Sequence, residues 1–182
     1  PTPVPRPAPG VMAVTFVGHA TAMLTTSRAR VLTDPFLRSF LWGLRRAEAA
    51  VLADEDRDDV SLVLLSHLHD DHFDPASLRV LPPSAVVVVP PRCAKPVLAM
   101  QHFAEVVELH PGETVHHHDL TVHAVPARHD GGRLGTGWSF RGANGYVVVS
   151  PDVTAYFAGD TGYFSGFGDI GRRLRPDVAL LP

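Results

Sequence analysis

The sequence predicts a layered α/β domain, on three observations. Short apolar runs of strand length recur along the chain, helical spacing appears between several of them, and Gly, Pro and Asn-Gly signals punctuate the joins. Alternating strands and helices bury their apolar faces only by stacking in layers.

In chain order, residues 11–17 read as a strand, Gly18-His19 turns the chain, and residues 22–25 and 31–33 are further strands, the latter ended by Asp34-Pro35. From residue 37 to 52, Leu37, Phe40, Leu41, Leu44 and Val51 keep helical spacing. The charged run 54–59 separates this from residues 62–65, whose fully apolar character fits an inner strand. Asp74 is suited to cap a helix over residues 76–80, with Pro75 in its first turn. Residues 85–89 form a β run between prolines; 94–103 read as helix and 106–109 as strand, ending at Pro111-Gly112. Residues 114–117 and 120–127 make a hairpin about Asp119. A Gly-rich loop, 130–137, leads to Trp138-Ser139-Phe140, with Trp138 read as core or pocket wall. Asn144-Gly145 is a turn signal, followed by strands at 146–150 and 154–158, a short helix at 170–174 and a last strand at 178–181.

A chain of 182 residues buries roughly 70% of the surface its unfolded form exposes and needs no disulfide to fold. Its single cysteine, Cys93, excludes a disulfide framework and a thiolate metal cluster, and fits a cytoplasmic setting. Sixteen basic against 19 acidic residues give a net charge of −3, with no general attraction to nucleic acid or anionic membrane. No apolar run reaches the ~20 residues of a membrane span. Residues 1–10 alternate prolines with small residues and read as a linker or tail outside a domain over 11–182. Residues 177–182 hold a buried-strand pattern that stops, so the sequence is expected to be a fragment, truncated at the C-terminus.

The chemistry is concentrated in Ser66-His67-Leu68-His69-Asp70-Asp71-His72, between an apolar strand and a helix. Alternate residues of extended chain point the same way, so His67 and His69 can converge on one ion. As the chain turns into the helix, Asp71 and His72 change direction and can serve a second. Imidazole and carboxylate suit Zn²⁺, and also Fe²⁺ or Mn²⁺. His129 and Asp160 each close a later strand, and Gly159 and Gly162 around Asp160-Thr161 permit a close backbone approach. Asp34, also at a strand end, is suited to accept the free N–H of a ligand imidazole. His19 either lines the pocket or holds the first turn through a backbone hydrogen bond. His116, His117 and His118 cannot all meet one ion, because neighbours on a strand point to opposite faces; His102, His110 and His123 show no partner pattern.

These pieces, Phe16-Val17-Gly18-His19-Ala20-Thr21, Leu32-Thr33-Asp34-Pro35, the histidine run, Pro126-Ala127-Arg128-His129 and Phe157-Ala158-Gly159-Asp160-Thr161-Gly162, resemble the metallo-β-lactamase-fold hydrolases. Within them the likeness is to the branch of N-acylphosphatidylethanolamine phospholipase D and ascorbate-6-phosphate lactonase. Residues 37–59 match least and suggest a family-specific insertion near the pocket. The resemblance implies an αββα sandwich, lacking its C-terminal part. It implies one metal on His67, His69 and His129, and a second on Asp71 and His72, with Asp160 bridging them. It further implies one more histidine from a loop beyond the last strand, which this sequence does not contain.

The expected function is a metal-dependent hydrolase in which two divalent ions, zinc first, share a hydroxide that attacks an ester, lactone or phosphodiester of a small-molecule substrate. Asp71 and Asp160 would orient the hydroxide and carry its proton. The alternatives are a mononuclear-iron oxidoreductase using His67, His129 and Asp160, and a non-catalytic metal-binding domain.

Overall fold

The computed structural model describes residues 1–129 and 142–182. The strands β1 (Ala13–Gly18), β2 (Thr21–Thr25) and β3 (Arg30–Thr33) are followed by a small hairpin of β4 (Phe40–Leu41) and β5 (Leu44–Arg45). Next come α1 (Asp54–Asp58), β6 (Leu62–Leu64), α2 (Pro75–Leu78), β7 (Val86–Val89), α3 (Ala94–Leu98) and β8 (Glu105–Glu108). The chain continues with β9 (Thr114–His117), β10 (Leu120–Pro126), β11 (Asn144–Val149), β12 (Thr154–Phe157), α4 (Gly166–Leu174) and β13 (Val178–Leu180).

Two sheets result. One runs β1-β2-β3-β6-β7-β8 and the other β13-β12-β11-β10-β9. Side chains alternate across each strand, and this sorts the core into three layers. Leu62, Leu64 and Val88 of the first sheet meet Leu120, Val122, Tyr146, Val148 and Phe157 of the second. On the far side of the first sheet, Val63, Leu65, Val87 and Val89 pack on Leu78, Leu81 and Val97 of the α2 and α3 region. On the far side of the second, Val125, Val147, Tyr156 and Ala158 pack on Ile170, Phe167 and Leu174. Helix, sheet, sheet, helix is the expected four-layer order.

Most expected strands lie within a residue or two of their positions, and Asp74 caps α2 by accepting from Ser77 N at 3.0 Å. Several expectations need correction. Residues 37–52 contain no helix; Trp42 and Gly43, at φ 51° and 81°, make a two-residue turn that folds β4 back on β5. Phe40 and Leu44 are exposed there, so the helical spacing had no core to face. The charged run after it is helical instead, as α1. Helix α3 stops at Leu98, and α4 begins at Gly166, earlier than its apolar spacing indicated. Asn144 and Gly145 open β11 rather than a turn, paired with Pro126 and Val125. A Cβ at Gly145 would lie 2.9 Å from the Tyr156 ring, so this glycine answers to packing.

The proline-rich start does not lie free of the core. Val4 packs on the helix-side core, and its N–H and C=O are held by Asp56 at 2.9 Å and Arg30 at 2.7 Å. Arg30 and Asp56 are themselves buried and paired at 2.8 Å, and Asp59 draws in Arg6 at 2.6 Å. The Gly-rich loop and Trp138 lie outside the described residues. No helix among the described residues is long and apolar enough to cross a membrane.

Candidate metal centre

The strand β6 delivers the histidine run to the rim of the first sheet. Two backbone bonds hold that strand end between its parallel neighbours: Asp34 N donates to Leu64 O and Leu65 N to Val88 O, both at 2.9 Å. Beyond it the chain tightens at once, with Phe73 N and His72 N both donating to His69 O, at 2.8 and 3.0 Å. This turn swings His72 back under His67, their ring centroids 4.1 Å apart.

Two groups of donor atoms form side by side. In the first, His67 Nε2 lies 2.9 Å from His69 Nδ1, and His129 Nε2 lies 3.2 Å from the same atom. In the second, His72 Nε2 faces Asp71 Oδ2 and Asp160 Oδ1, each at 3.5 Å. His19 joins the second group through Asp71, its Nε2 2.9 Å from Oδ2. Of the two expectations for His19, the contact is therefore with a pocket carboxylate and not a backbone group.

Asp34 fixes the imidazoles. Its carboxylate accepts from Ser66 N at 2.6 Å, from Ser66 Oγ and, at 2.7 Å, from His72 Nδ1. Because the Ser66 proton goes to Asp34, the hydroxyl oxygen accepts from His67 Nδ1, 2.9 Å away. Both rings thus carry their proton on Nδ1 and turn a bare Nε2 toward the donor groups when neutral. Ser66, which opens the run but was assigned no role from the sequence, relays Asp34 to His67. A hydroxyl immediately before the first histidine was its only signal.

Electrostatics differ between the groups. Burial, reinforced by the neighbouring imidazoles of His72, His69 and His129, pushes His67 down to about 2, so it stays neutral. Burial also opposes charge on His72, but Asp34, Asp160 and Asp71 outweigh it and raise the ring to about 12. The His19 hydrogen bond and the facing His72 ring hold Asp71 below the usual carboxylate range, and His72 does the same for Asp160. Three carboxylates around one ring constitute a demand for positive charge, met by the His72 proton in the bare protein.

The second sheet brings its residues to the same rim. Gly159 lies two residues beyond β12 at φ 57°, and a Cβ there would stand 2.4 Å from Ser66 Cβ. Only glycine allows the loop carrying Asp160 to lie against the start of the histidine run. Asn144 N donates to Ser66 O at 2.9 Å, bridging the sheets at the same residue. Arg128 N donates to Thr161 Oγ1, and Gly162 N to Arg128 O, each at 2.9 Å, which ties the His129 and Asp160 loops together.

The donor atoms fit divalent ions. His72 Nε2 is buried without a hydrogen-bond partner and faces two carboxylates at ion-pair distance. His67, His69 and His129 offer ring nitrogens within 4.8 Å of one another, and so do the ligand atoms of His19, Asp71 and His72, the aspartate through a carboxylate oxygen. No such group includes His102, His110, His116, His117, His118 or His123 among the described residues; His116 instead bonds Thr121 Oγ1 at 3.1 Å, and His102 bonds Leu81 O at 2.9 Å.

Comparison with known proteins agrees with this architecture. A Thermoplasma acidophilum protein named a metal-dependent hydrolase is 32% identical over 91% of this chain and 67% of its own length. A Mycobacterium tuberculosis protein is 31% identical over 99% of this chain, which spans only 52% of that relative, about half its length. Among solved structures, a possible metal-dependent hydrolase from Veillonella parvula superposes with a TM-score of 0.72 at 23% identity, over 92% of this chain and 69% of that one. The diiron β-hydroxylase CmlA of Streptomyces venezuelae superposes at 0.73 and 20% identity, over 96% of this chain and 35% of that one. The beta-lactamase superfamily domain matches residues 29–182, from β3 to the last residue. By its layers, its strand order and this match, the chain belongs to the beta-lactamase superfamily.

Proposed function

We propose that the chain carries the catalytic core of a metal-dependent hydrolase acting on an ester, lactone or phosphodiester bond of a small molecule. The observation that carries this reading is the pair of adjacent donor groups whose imidazole tautomers are set by one buried carboxylate, Asp34. His67, His69 and His129 would hold one ion; Asp71, His72 and Asp160 would hold the second. Two divalent ions bound there supply an activated water at neutral pH and charge stabilisation at the attacked centre. The relatives named metal-dependent hydrolases support hydrolysis over oxygen chemistry; the likeness to CmlA is one of fold.

The protein side chains have separate tasks. Asp34 keeps His67 and His72 in the Nδ1–H form, so that each presents a lone pair. Asp71, partly exposed and bonded to His19, stands where it can orient a water and take up its proton. His19, 2.9 Å away, can receive that proton in turn. The lowered proton affinity of Asp71 keeps it ionised at neutral pH, the form a metal ligand needs.

Equilibrium dialysis with Zn²⁺ or Mn²⁺, followed by metal analysis, should give up to two ions per chain for the wild type and fewer for His67→Ala and Asp71→Ala. Screening phosphodiesters, lactones and esters with metal-loaded protein, beside an O₂-uptake control, then tests the reaction class. Folded protein that binds no metal would overturn the reading; so would full hydrolytic activity in a His67→Ala, Asp71→Ala double variant.

A further inference from the structure

The cavity beside the second donor group has about 640 Å³ and reaches from Asp71 and His19 to the β4–β5 hairpin. Arg46, just after that hairpin, lies in its wall together with Gly18 and Phe36. Its setting is unlike that of buried Arg30 or of exposed Arg38. Arg30 is matched by Asp56 and Asp59, and Arg38 by Asp74 through two bonds of 2.6 and 2.9 Å. Arg46 has no carboxylate partner among the described residues.

The guanidinium is nevertheless held in place. Nη2 donates to Phe36 O at 3.0 Å, and the group stacks over the Phe36 ring, 5.2 Å from its centroid. Its backbone N–H is fixed by Ser39 O at 2.8 Å. Nη1 is shut off from solvent with no hydrogen-bond partner. Gly18 gives it room: a Cβ there would lie 3.1 Å from Nη1, and Gly18 takes φ 137°. The residue after Gly18 is His19, which bonds Asp71. A positioned, half-buried cation with an unanswered N–H is costly unless something supplies the acceptor. Burial already lowers its proton affinity.

We infer that Arg46 is the substrate-anchoring residue of this cavity, receiving an anionic group, carboxylate or phosphate, of the molecule whose other end reaches the Asp71 side. A planar guanidinium stacked on an aromatic ring in the cavity wall, with no carboxylate to neutralise it among the described residues, suits an oxyanion. Arg45 adds positive charge to the same wall and Glu48 subtracts it. The assignment of the scissile end rests on the hydrolase reading; the anion site does not.

The test is therefore made on metal-free protein, by NMR titration with phenylphosphonate and, separately, benzoate. Wild-type protein should saturate with at least one of them in the millimolar range. Arg46→Ala should weaken that binding at least fivefold with an unchanged melting temperature, Arg46→Lys should retain part of it, and the exposed Arg79→Ala should leave it unaltered. The anion that binds tighter names the class. Binding equal in wild type and Arg46→Ala, or no saturation of wild type by either anion, overturns the proposal. Metal binding measured on the same samples shows independently whether the metal reading stands.

Discussion

Asp34 Oδ2 lies 2.7 Å from His72 Nδ1, and both side chains are fully buried. The same oxygen accepts from Ser66 Oγ, so a single atom sets the proton position on two imidazoles. Asp34→Asn keeps the size but removes the charge that makes these bonds strong. Metal affinity is expected to fall about 10–100-fold, the usual cost of losing such a partner, as read by competition with a chromophoric chelator. Unaltered affinity would show that the carboxylate does not orient the rings for an ion.

Gly159 and Gly171 should respond oppositely to alanine. Position 159 combines φ 57° with a 2.4 Å clash against Ser66, so Gly159→Ala is expected to cost about 2–4 kcal/mol. Position 171 lies inside α4 with nothing within 4 Å of its added Cβ. There the substitution should add about 0.5–1 kcal/mol through helix propensity. Urea unfolding of both variants measures the contrast.

Asp56 and Asp58 are near neighbours on α1 with unlike burial. Asp56→Ala would leave Arg30 buried beside a lost partner and free the Val4 N–H, and should cost about 3–5 kcal/mol. Asp58 pairs with Arg57 at the surface, and Asp58→Ala should change stability by less than about 0.5 kcal/mol. Urea unfolding of the two variants measures the difference.

Cys93 is fully buried, and burial, with Glu108 nearby, pushes its thiol up to about 12 from 9.0. The folded state therefore favours the neutral thiol. That contribution is whole below pH 9 and is lost as pH rises from 9 toward 12, where the unfolded chain ionises first. Ellman's reagent at pH 8 should react slowly with native protein and at once in denaturant. Cys93→Ser should flatten the alkaline loss of stability. Rapid labelling of the native protein would contradict this burial.

How much of this was legible in the sequence depended on how local each feature is. His67, His69, Asp71 and His72 stand within six residues, between an apolar strand and a capped helix, so spacing alone pointed to them. His129 and Asp160 were readable because each closes a strand. The helix expected over residues 37–52 failed because periodicity records which residues are apolar, not whether a core exists to receive them. The Asn144-Gly145 pair failed for the converse reason, its glycine being demanded by the Tyr156 ring across the sheet. The clasp on Val4 and the seat of Arg46 depend on contacts with residues 26 to 52 positions away or on a neighbouring ring and glycine. Such contacts have no local pattern to betray them.

The contact of Gly159 with Ser66 has a bearing on assembly. Residues 60–80 carry their donors on one local strand, turn and helix, yet the Asp160 loop arrives only when the second sheet closes on the first at Ser66. The two donor groups therefore come together in the docked molecule alone. Uptake of a spectroscopically visible ion such as Co²⁺ during refolding would then mark the moment of sheet closure, and a chelator would be felt first at that seam.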